Sequence, residues 1–451
     1  MTPVPDSEIV RVVGGGLAGC EAAWQLARGG CRVRLYEMRP GVSTGAHRGA
    51  GLAELVCSNS FKGRAPHQAR GLLKAEGVTL GSLLLELAAE CSVPAGAALA
   101  VDRDRFSAAV EAALNAESAI EIVRREVCDW PAAPLLLATG PLTSPALSAV
   151  LRRELGGRRL FFHDATAPVV TAASLDRRTV FAAGRHGRDS DYLNVGLRRE
   201  QYEEFHRRLL SLPRAPIQGV DARAEADGLS LFEACLPLEV LAERSADALR
   251  FGPLRPVGLR RPDTGESYYA VIQLRAEDRA ATRYNLVGCQ TRLTPPAQRE
   301  LFRSLPGLEG VEFVRYGRMH RNSYLDGPRL LKPTLELFDR PGCFVAGQLS
   351  GSEGYGEAVL TGLLAGRNLA RRLRGLPPLE PPATTMLGAL VRTLSGRGLR
   401  PSTVPAPVNA NFGLLPPTTA RTRGRRGRRL GRAQRALAAC RVFAWRLATA
   451  Y

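Results

Sequence analysis

Lysine is scarce in this chain of 451 residues, whose formal net charge is +19 at pH 7. Only Lys62, Lys74 and Lys332 are lysines, and all the other positively charged side chains belong to arginine. A protein this basic is attracted to polyanions, and nucleic acid is the commonest polyanion in the cytoplasm. Because GC-rich coding also favours arginine, the charge does not by itself identify a nucleic-acid-binding protein.

Long apolar runs and paired cysteines are also missing. No stretch reaches the roughly 20 consecutive apolar residues of a membrane helix, and residues 1–10 lack the basic and then apolar pattern of a signal peptide. Nine cysteines are scattered without a CxxC pair, which argues against a disulfide framework and against a zinc or other metal site. We expect a cytoplasmic protein of two or three domains with no membrane segment.

The first 37 residues have the pattern of a nucleotide-binding βαβ unit. Residues 8–13 and 31–37 are predicted strands, and residues 17–28 between them a predicted helix. The turn before the helix reads GxGxxG, in which the first glycine permits a tight turn, the second lets the backbone approach a pyrophosphate, and the third allows close helix packing. Glu37 would accept the ribose hydroxyls. The predicted contacts are Gly14, Gly15, Gly16, Leu17, Ala18, Gly19 and Glu37.

A second glycine-rich turn favours FAD over NAD or S-adenosylmethionine, all of which can use such a unit. Residues 343–346 are a predicted strand, and the glycines that follow lead into a predicted helix at 357–372. In FAD folds made of two sequence segments, a late strand and helix return to the isoalloxazine. We therefore predict cofactor contacts from Gly347, Gly354 and Glu357, although Glu357 could equally cap the helix. For the N-terminal βαβ unit, the competing interpretation is a glycine-rich turn in some other α/β protein.

The pattern changes between residues 161 and 313, where short β-like runs (168–171, 268–274 and 284–287) alternate with predicted helices (200–210 and 297–305). The predicted fold is α/β: a Rossmann-type FAD-binding domain of the glutathione-reductase-like kind, with an inserted α+β domain. The predicted divisions are 1–160 (FAD-binding domain, first part), 161–313 (insertion for substrate or RNA), 314–376 (FAD-binding domain, second part) and 377–451 (C-terminal segment with a basic tail).

Two stretches stand apart from these elements. Residues 39–71 form a long predicted loop before a predicted helix at 80–89, and long loops inside a compact domain are often functional. Residues 421–435 are a low-complexity arginine run followed by an apolar run at 436–448. This tail is either a phosphate-binding arm that is disordered until RNA docks, or a solvated extension.

With these residues laid out, the chain resembles the TrmFO family, the folate- and FAD-dependent tRNA (uracil-5-)-methyltransferases. The resemblance covers residues 11 to about 416, and the tail beyond is a departure, because family members tend to end soon after VNANFG. The larger flavoprotein family that modifies the wobble uridine of tRNA also shares the GGGxAGCEAA opening, but it has His where Leu17 stands and is longer. The segments that carry the resemblance are VVGGGLAGCEAAWQLA, LYEMRP, AELVCSNSF, FEACLPLEV, FVRYGRMHRNS, VAGQLSGSEGYGEAVLTGLLAG and VNANFGLLP.

The resemblance implies methylation at C5 of uridine in the T-loop of tRNA, at position 54, with methylenetetrahydrofolate as carbon donor. It implies FAD as cofactor and NADPH or NADH as reductant, and it carries over Cys57 and Cys235 as catalytic residues. Uracil C5 becomes nucleophilic when a thiolate adds to C6, and a methylene carbon needs two electrons to become methyl. We assign C6 attack to Cys235 and the flavin side of the reaction to Cys57, with the two roles exchangeable.

Several alternatives stay open at this point. Arg318, His320, Arg321 and Asn322 are candidates for holding folate, an RNA phosphate or the flavin, or they belong to a surface loop. His47 is a weaker candidate for a base. The same chemistry on ribosomal RNA, a flavin oxidoreductase acting on small molecules, and a non-catalytic RNA-binding flavoprotein are the competing functions.

Overall fold

The computed structural model describes residues 9–44, 46–156, 160–187, 189–216, 236–400, 406–418 and 424–448, without the side chains of residues 160–163, 186, 320 and 321. The strands are β1 (Val10–Val13), β2 (Val33–Glu37), β3 (Ser60–Gly63), β4 (Ser92–Val93), β5 (Ala98–Val101), β6 (Ile120–Arg124), β7 (Leu135–Leu137), β8 (Leu160–Ala165), β9 (Val169–Thr171), β10 (Phe181–Ala182), β11 (Tyr192–Leu197), β12 (Ala270–Ala276), β13 (Arg283–Val287), β14 (Phe313–Arg315), β15 (Met319–Tyr324) and β16 (Cys343–Val345). The α-helices are α1 (Leu17–Arg28), α2 (Ala69–Thr79), α3 (Leu83–Glu90), α4 (Arg103–Ala116), α5 (Pro145–Leu155), α6 (Arg199–Ser211), α7 (Leu238–Arg244), α8 (Ala248–Phe251), α9 (Pro295–Arg303), α10 (Gly327–Leu330), α11 (Tyr355–Leu373), α12 (Met386–Leu394) and α13 (Gly424–Ala448). Two short 3₁₀ helices cover Arg185–Gly187 and Gly347–Ser350.

A parallel five-stranded sheet forms the centre of the nucleotide-binding part. Its strand order is β16-β7-β1-β2-β6, and every neighbouring pair is parallel. Strands inside such a sheet are covered on both faces, which explains the short apolar runs of β7 and β16. Residues from 343 onward thus return to the sheet that the N-terminus began. The predicted Rossmann-type α/β fold is confirmed.

Helices α1 and α11 pack against each other through residues without large side chains. A Cβ built on Gly362 would lie 2.2 Å from the carbonyl oxygen of Ala18, and one built on Gly366 would lie 2.7 Å from that of Ala22. Real Cβ atoms do not approach backbone so closely. The two helices are therefore as close as their backbones permit, and the first turn of α1 lies against the middle of α11.

A second, antiparallel sheet has its own core. Its strand order is β10-β11-β12-β13-β9-β14, and its apolar face packs on side chains from α6 and α9, such as Phe205 and Phe302. The strands β8 and β15 pair with each other as a two-stranded ribbon. Along the sequence, β8 precedes the strands of this sheet and β15 follows them. We propose the same division of the chain that the sequence predicts, with the second sheet as the insertion.

The predicted loop at residues 39–71 is not a loop throughout, because it contains β3 and the start of α2. The next predicted helix begins three residues later than expected, at Leu83. Ser82 precedes it, and the hydroxyl of Ser82 accepts a hydrogen bond from the Leu85 amide. This is an N-cap, which satisfies an amide that the helix itself leaves unpaired.

The prediction of a disordered tail is wrong for residues 424–448, which form the helix α13. Five residues spaced three or four apart lie on one face of it and are buried, as in an amphipathic helix. That face packs against α2, within the core of the nucleotide-binding part. Among the described residues, no helix is both long and apolar enough to cross a membrane. The five buried residues are Ala433, Ala436, Cys440, Phe443 and Leu447.

Candidate active site

The turn between β1 and α1 has the geometry that a dinucleotide requires. Gly14 has a φ of +110°, and a Cβ there would lie 2.4 Å from the Ala138 carbonyl oxygen. A Cβ on Gly19 would lie 1.8 Å from the carbonyl oxygen of Gly14. Gly16 differs, because nothing lies within 4 Å of the position of its Cβ. The turn is therefore packed against backbone at Gly14 and Gly19, and it is open at Gly16, where a pyrophosphate would approach.

Glu37 lies at the end of β2 and is joined directly to this turn. Its Oε2 accepts a hydrogen bond of 3.0 Å from the Gly15 amide, and its Oε1 accepts bonds from the amide and Nε of Arg39. Burial acts to raise the pKa of Glu37, but the hydrogen bonds and charge of Arg39 outweigh it and hold that pKa below its ordinary value. Glu37 is thus an ionised acceptor, and a carboxylate has about four lone-pair sites, so it retains capacity for ribose.

Leu17 and Ala18 are the first residues of α1 and are buried. They line the same cleft as the glycines. Ala18 also lies against the second turn, since a Cβ on Gly347 would be 2.8 Å from the Ala18 Cβ. The two glycine-rich turns, more than 300 residues apart in the sequence, therefore meet at one edge of the parallel sheet.

The second turn is held by its own side chains. Gly347 has a φ of +69°, its amide donates to the Thr361 hydroxyl, and its carbonyl accepts from the hydroxyls of Ser350 and Ser352. Gly354, with a φ of +124°, precedes the first residue of α11. These positive φ values are ones that side-chain-bearing residues rarely adopt.

Glu357 lies in the first turn of α11 and is almost fully buried. Its Oε1 accepts a hydrogen bond of 2.9 Å from the Ala410 amide and lies 3.6 Å from Nε of Arg70. Glu357 does not cap α11, because its partner lies in another segment of the chain. It ties residues 406–418 to the cleft, and its contact with a flavin stays a prediction.

Cys57 lies in the wall of this cleft, in the segment before β3. Its Sγ donates to Oδ2 of Asp164 across 3.6 Å. Its amide and that of Ser58 both donate to the Tyr355 hydroxyl, at 2.9 and 3.1 Å. Arg315 donates to the carbonyl oxygens of Val56 and Cys57 from the other side. Contacts from distant parts of the chain therefore fix the cysteine in place.

The surroundings of Cys57 favour a neutral thiol. Burial raises the pKa of Cys57 well above its usual value, and the negative charges of Asp164 and Glu353 raise it further. Burial, and then the charge of Asp164, also raises the pKa of Glu353 well above its usual value. Glu353 accepts a hydrogen bond of 2.6 Å from the Gln348 side chain. The site thus combines a thiol and a carboxyl, each with a raised pKa, at the edge of a cofactor cleft.

The remaining candidates are only partly brought together. Asn322 is buried and lines the cleft. Arg318 is exposed. Burial lowers the pKa of Arg48, and the positive charge of Arg318 lowers that pKa further. His320 and Arg321 pair through their backbone with β8, and their side chains lie outside the described residues. Cys235 also lies outside the described residues.

His47 lines the cleft too, and its Nδ1 lies 2.6 Å from the Thr44 hydroxyl. Burial lowers its pKa, and the charge of Arg39 lowers it further. A neutral imidazole can accept a proton, so the geometry keeps His47 as a candidate base.

Sequence reasoning missed Arg39, Asp164 and Tyr355. Tyr355 could have been found, because it stands inside the second glycine-rich turn. Asp164 offered no signal, because it lies 107 residues from Cys57 in the sequence. No group of three potential metal ligands occurs in the part of the chain that the structure describes.

Known proteins with the same arrangement identify the family. The family model described as Glucose inhibited division protein A matches residues 9–377. A relative from Moorella thermoacetica is named methylenetetrahydrofolate--tRNA-(uracil-5-)-methyltransferase TrmFO. It is 50% identical over 434 residues, which make up 96% of this chain and 97% of the relative. The chain belongs to the TrmFO family.

Other TrmFO relatives extend the match. The relative from Desulforudis audaxviator is 50% identical, and the match covers 97% of this chain and 98% of the relative. The relative from Thermus thermophilus is 48% identical, and the match covers 92% of this chain and 91% of the relative. The Desulforudis match leaves about 3% of this chain unmatched, fewer residues than α13 contains. The expectation that family members end soon after VNANFG therefore does not hold for this relative, which matches part of the final helix.

A solved structure of Aquifex aeolicus GidA is similar in fold, with a TM-score of 0.68 and 19% sequence identity. The similarity covers 100% of this chain and 77% of that one, so the GidA chain is longer. The glycine turn, Glu37 and the open space at Gly16 fit an FAD in this fold. The cleft continues from these residues to Cys57.

Proposed function

We propose that this TrmFO protein transfers a one-carbon unit from methylenetetrahydrofolate to C5 of uridine at position 54, in the T-loop of tRNA. The observation that carries this proposal is the position of Cys57 in the wall of the FAD cleft, in a chain 50% identical to TrmFO enzymes over nearly its whole length. A reactive thiol beside a redox cofactor is what a reductive methylation requires.

The cofactor, when bound and reduced, supplies the two electrons that convert a methylene carbon to methyl. We propose that NADPH or NADH reduces it, because the chain carries one complete GxGxxG and so has no second resident dinucleotide site of that kind. Gly14, Gly16 and Gly19 hold the pyrophosphate, and Glu37 accepts the ribose hydroxyls.

The two cysteines have different tasks in this proposal. Cys235 adds to C6 of uracil, which makes C5 nucleophilic, and it leaves again when the C5 proton has been removed. Cys57 acts on the flavin side of the reaction. Its S–H is directed at Asp164, so the Asp164 carboxylate is placed to accept the thiol proton when Cys57 reacts.

The polar rim of the cleft provides the contacts for substrate. Asn322 is directed into the cleft wall, and Arg318, His320 and Arg321 come from the same strand segment. We propose that this segment contacts RNA phosphate or the folate. We also propose a cytoplasmic location, because tRNA and reduced folate occur together there.

The test is a transfer assay with labelled methylenetetrahydrofolate, NADPH or NADH, and tRNA that lacks 5-methyluridine. We expect label in 5-methyluridine at position 54, found by nuclease mapping. Unmodified ribosomal RNA is the matched substrate, and label there alone would contradict the choice of tRNA. Steady consumption of NAD(P)H with no label in either RNA would instead support an oxidoreductase acting on small molecules.

A further inference from the structure

Helix α13 carries far more positive charge than its packing needs. Its 25 residues include eight arginines and no acidic residue. One face is buried against α2, where the Cys440 thiol donates to the Glu76 carbonyl oxygen across 3.7 Å. The docked apolar face explains why the helix is ordered, but it does not explain the arginines.

Three of the arginines hold the preceding segment. Arg432 donates to the Phe412 carbonyl oxygen at 3.0 Å, and the Arg429 guanidinium lies 5.6 Å from the centre of the Phe412 ring. Arg435 donates to the carbonyl oxygens of Pro416 and Pro417. These contacts give Arg429, Arg432 and Arg435 a structural role.

Arg425, Arg426 and Arg428 have no such explanation. All three are exposed, and none forms an ion pair with a residue that the structure describes. They lie within four positions on the first turns of one helix, so their charges add over a short distance. Three like charges this close together repel one another, and a bound anion relieves that repulsion.

The position of these arginines relates them to the active site. Glu357, in the cleft, accepts from the Ala410 amide, and Phe412 two residues later is held by Arg432. Helix α13 is therefore connected to the cleft through residues 410–412, which Arg432 contacts from the helix and Glu357 contacts from the cleft. The exposed apolar side chains of the helix, Val442 and Trp445, lie near its other end.

We propose that Arg425, Arg426 and Arg428 form a phosphate-binding surface for the backbone of the tRNA that enters the cleft. The proposal rests on the proposed function for the identity of the polyanion. An amphipathic helix that lies on a membrane presents its apolar face to the lipid, whereas the apolar face of α13 is buried against α2. The charge and its location therefore fit an RNA backbone, which is bound by neutralising phosphates and releasing counterions.

The test combines Arg425→Gln, Arg426→Gln and Arg428→Gln in the full chain with bound FAD, and measures tRNA affinity over a series of salt concentrations. We expect affinity at low salt to fall by about tenfold or more, and the slope of log affinity against log salt to decrease by up to about 3, roughly one for each phosphate that is no longer neutralised. The kcat at saturating tRNA and the consumption of NAD(P)H without tRNA should be unchanged.

Two controls make the result specific. The triple Arg→Lys variant retains the charges and should bind nearly as well as the wild type, while Arg441→Gln, at an exposed arginine near the other end of α13, should change little. Any of three results would overturn the proposal. Arg441→Gln could weaken tRNA binding as much as the triple Gln variant does, or the triple Gln variant could bind tRNA as well as the wild type. The triple Gln variant could also lose binding to anionic phospholipid vesicles while its tRNA binding is unchanged. Because affinity is measured without turnover, a wild-type protein that binds tRNA without methylating it would contradict the proposed function and leave this test intact.

Discussion

The thiol of Cys57 lies 3.6 Å from Oδ2 of Asp164, although 107 residues separate the two in the sequence. The carboxylate helps to keep the thiol protonated, because a nearby negative charge opposes formation of a thiolate. This pair sets the reactivity of the cysteine before substrate arrives.

Replacing Asp164 should therefore make Cys57 more reactive. Asp164→Asn removes a negative charge, so the pKa of Cys57 falls and alkylation by iodoacetamide at pH 8 should become several times faster. Burial remains and keeps most of the thiol protonated. Mass spectrometry of the peptide that contains Cys57 measures the rate. Glu353→Gln is the matched comparison and should accelerate alkylation less, because the charge of Glu353 raises the pKa of Cys57 less than the charge of Asp164 does; an unchanged or slower rate in Asp164→Asn contradicts this account.

Removing either proposed catalytic thiol should abolish transfer and spare the cofactor. We expect Cys57→Ala and Cys235→Ala to lower methyl transfer to tRNA by at least about 100-fold while the flavin absorbance remains. Cys128→Ala, at an exposed cysteine, should keep full activity. If both single variants of the proposed pair were fully active, the assignment of the two cysteines would be wrong.

Substitutions at two glycines of the first turn should have different effects, one on cofactor binding and the other on the stability of the fold. Gly16→Ala places its methyl in open space, so the Tm of the FAD-free protein should change little, while FAD affinity falls because the methyl occupies the pyrophosphate position. Gly19→Ala forces its methyl against the Gly14 carbonyl oxygen and should destabilise the fold itself by about 1–3 kcal/mol. Calorimetry with and without FAD measures both effects. Equal Tm losses in the two FAD-free variants would argue against an open pyrophosphate position.

Stability should depend on pH through Glu76, which lies under α13. Burial raises the pKa of Glu76 to about 8, although the Met386 and Leu387 amides donate to it and act in the opposite direction. A folded pKa above the unfolded value of 4.5 means that this stabilisation is complete below pH 4.5 and is lost as pH rises through 8.

Glu76→Gln removes this titration. The Tm advantage of the wild type over Glu76→Gln should therefore shrink between pH 6 and pH 9, as measured by calorimetry. Glu90→Gln, at an exposed residue that ends α3, is the control for removing a glutamate at the surface. A constant difference for Glu76→Gln would show that the pKa of Glu76 is not raised.

The sequence predicts the nucleotide-binding unit well, because each of its parts has a local signal. The spacing of Gly14, Gly16 and Gly19 identifies the turn, and apolar residues identify the strands on either side of it. Asp164 and Tyr355 are different, since their place beside Cys57 depends on long-range strand pairing and helix packing. The helix α13 departs from the predicted disordered arm, because five apolar residues at helical spacing pack the arginine-rich segment against α2.

The close contact of Gly362 with Ala18 and of Gly366 with Ala22 has a mechanical consequence. Helices whose backbones touch cannot slide or tilt without collision, so α1 and α11 behave as a single rigid body. The two glycine turns that precede these helices consequently keep a fixed separation. A ligand that contacts both turns would therefore spend little of its binding energy on bringing these two distant parts of the chain together.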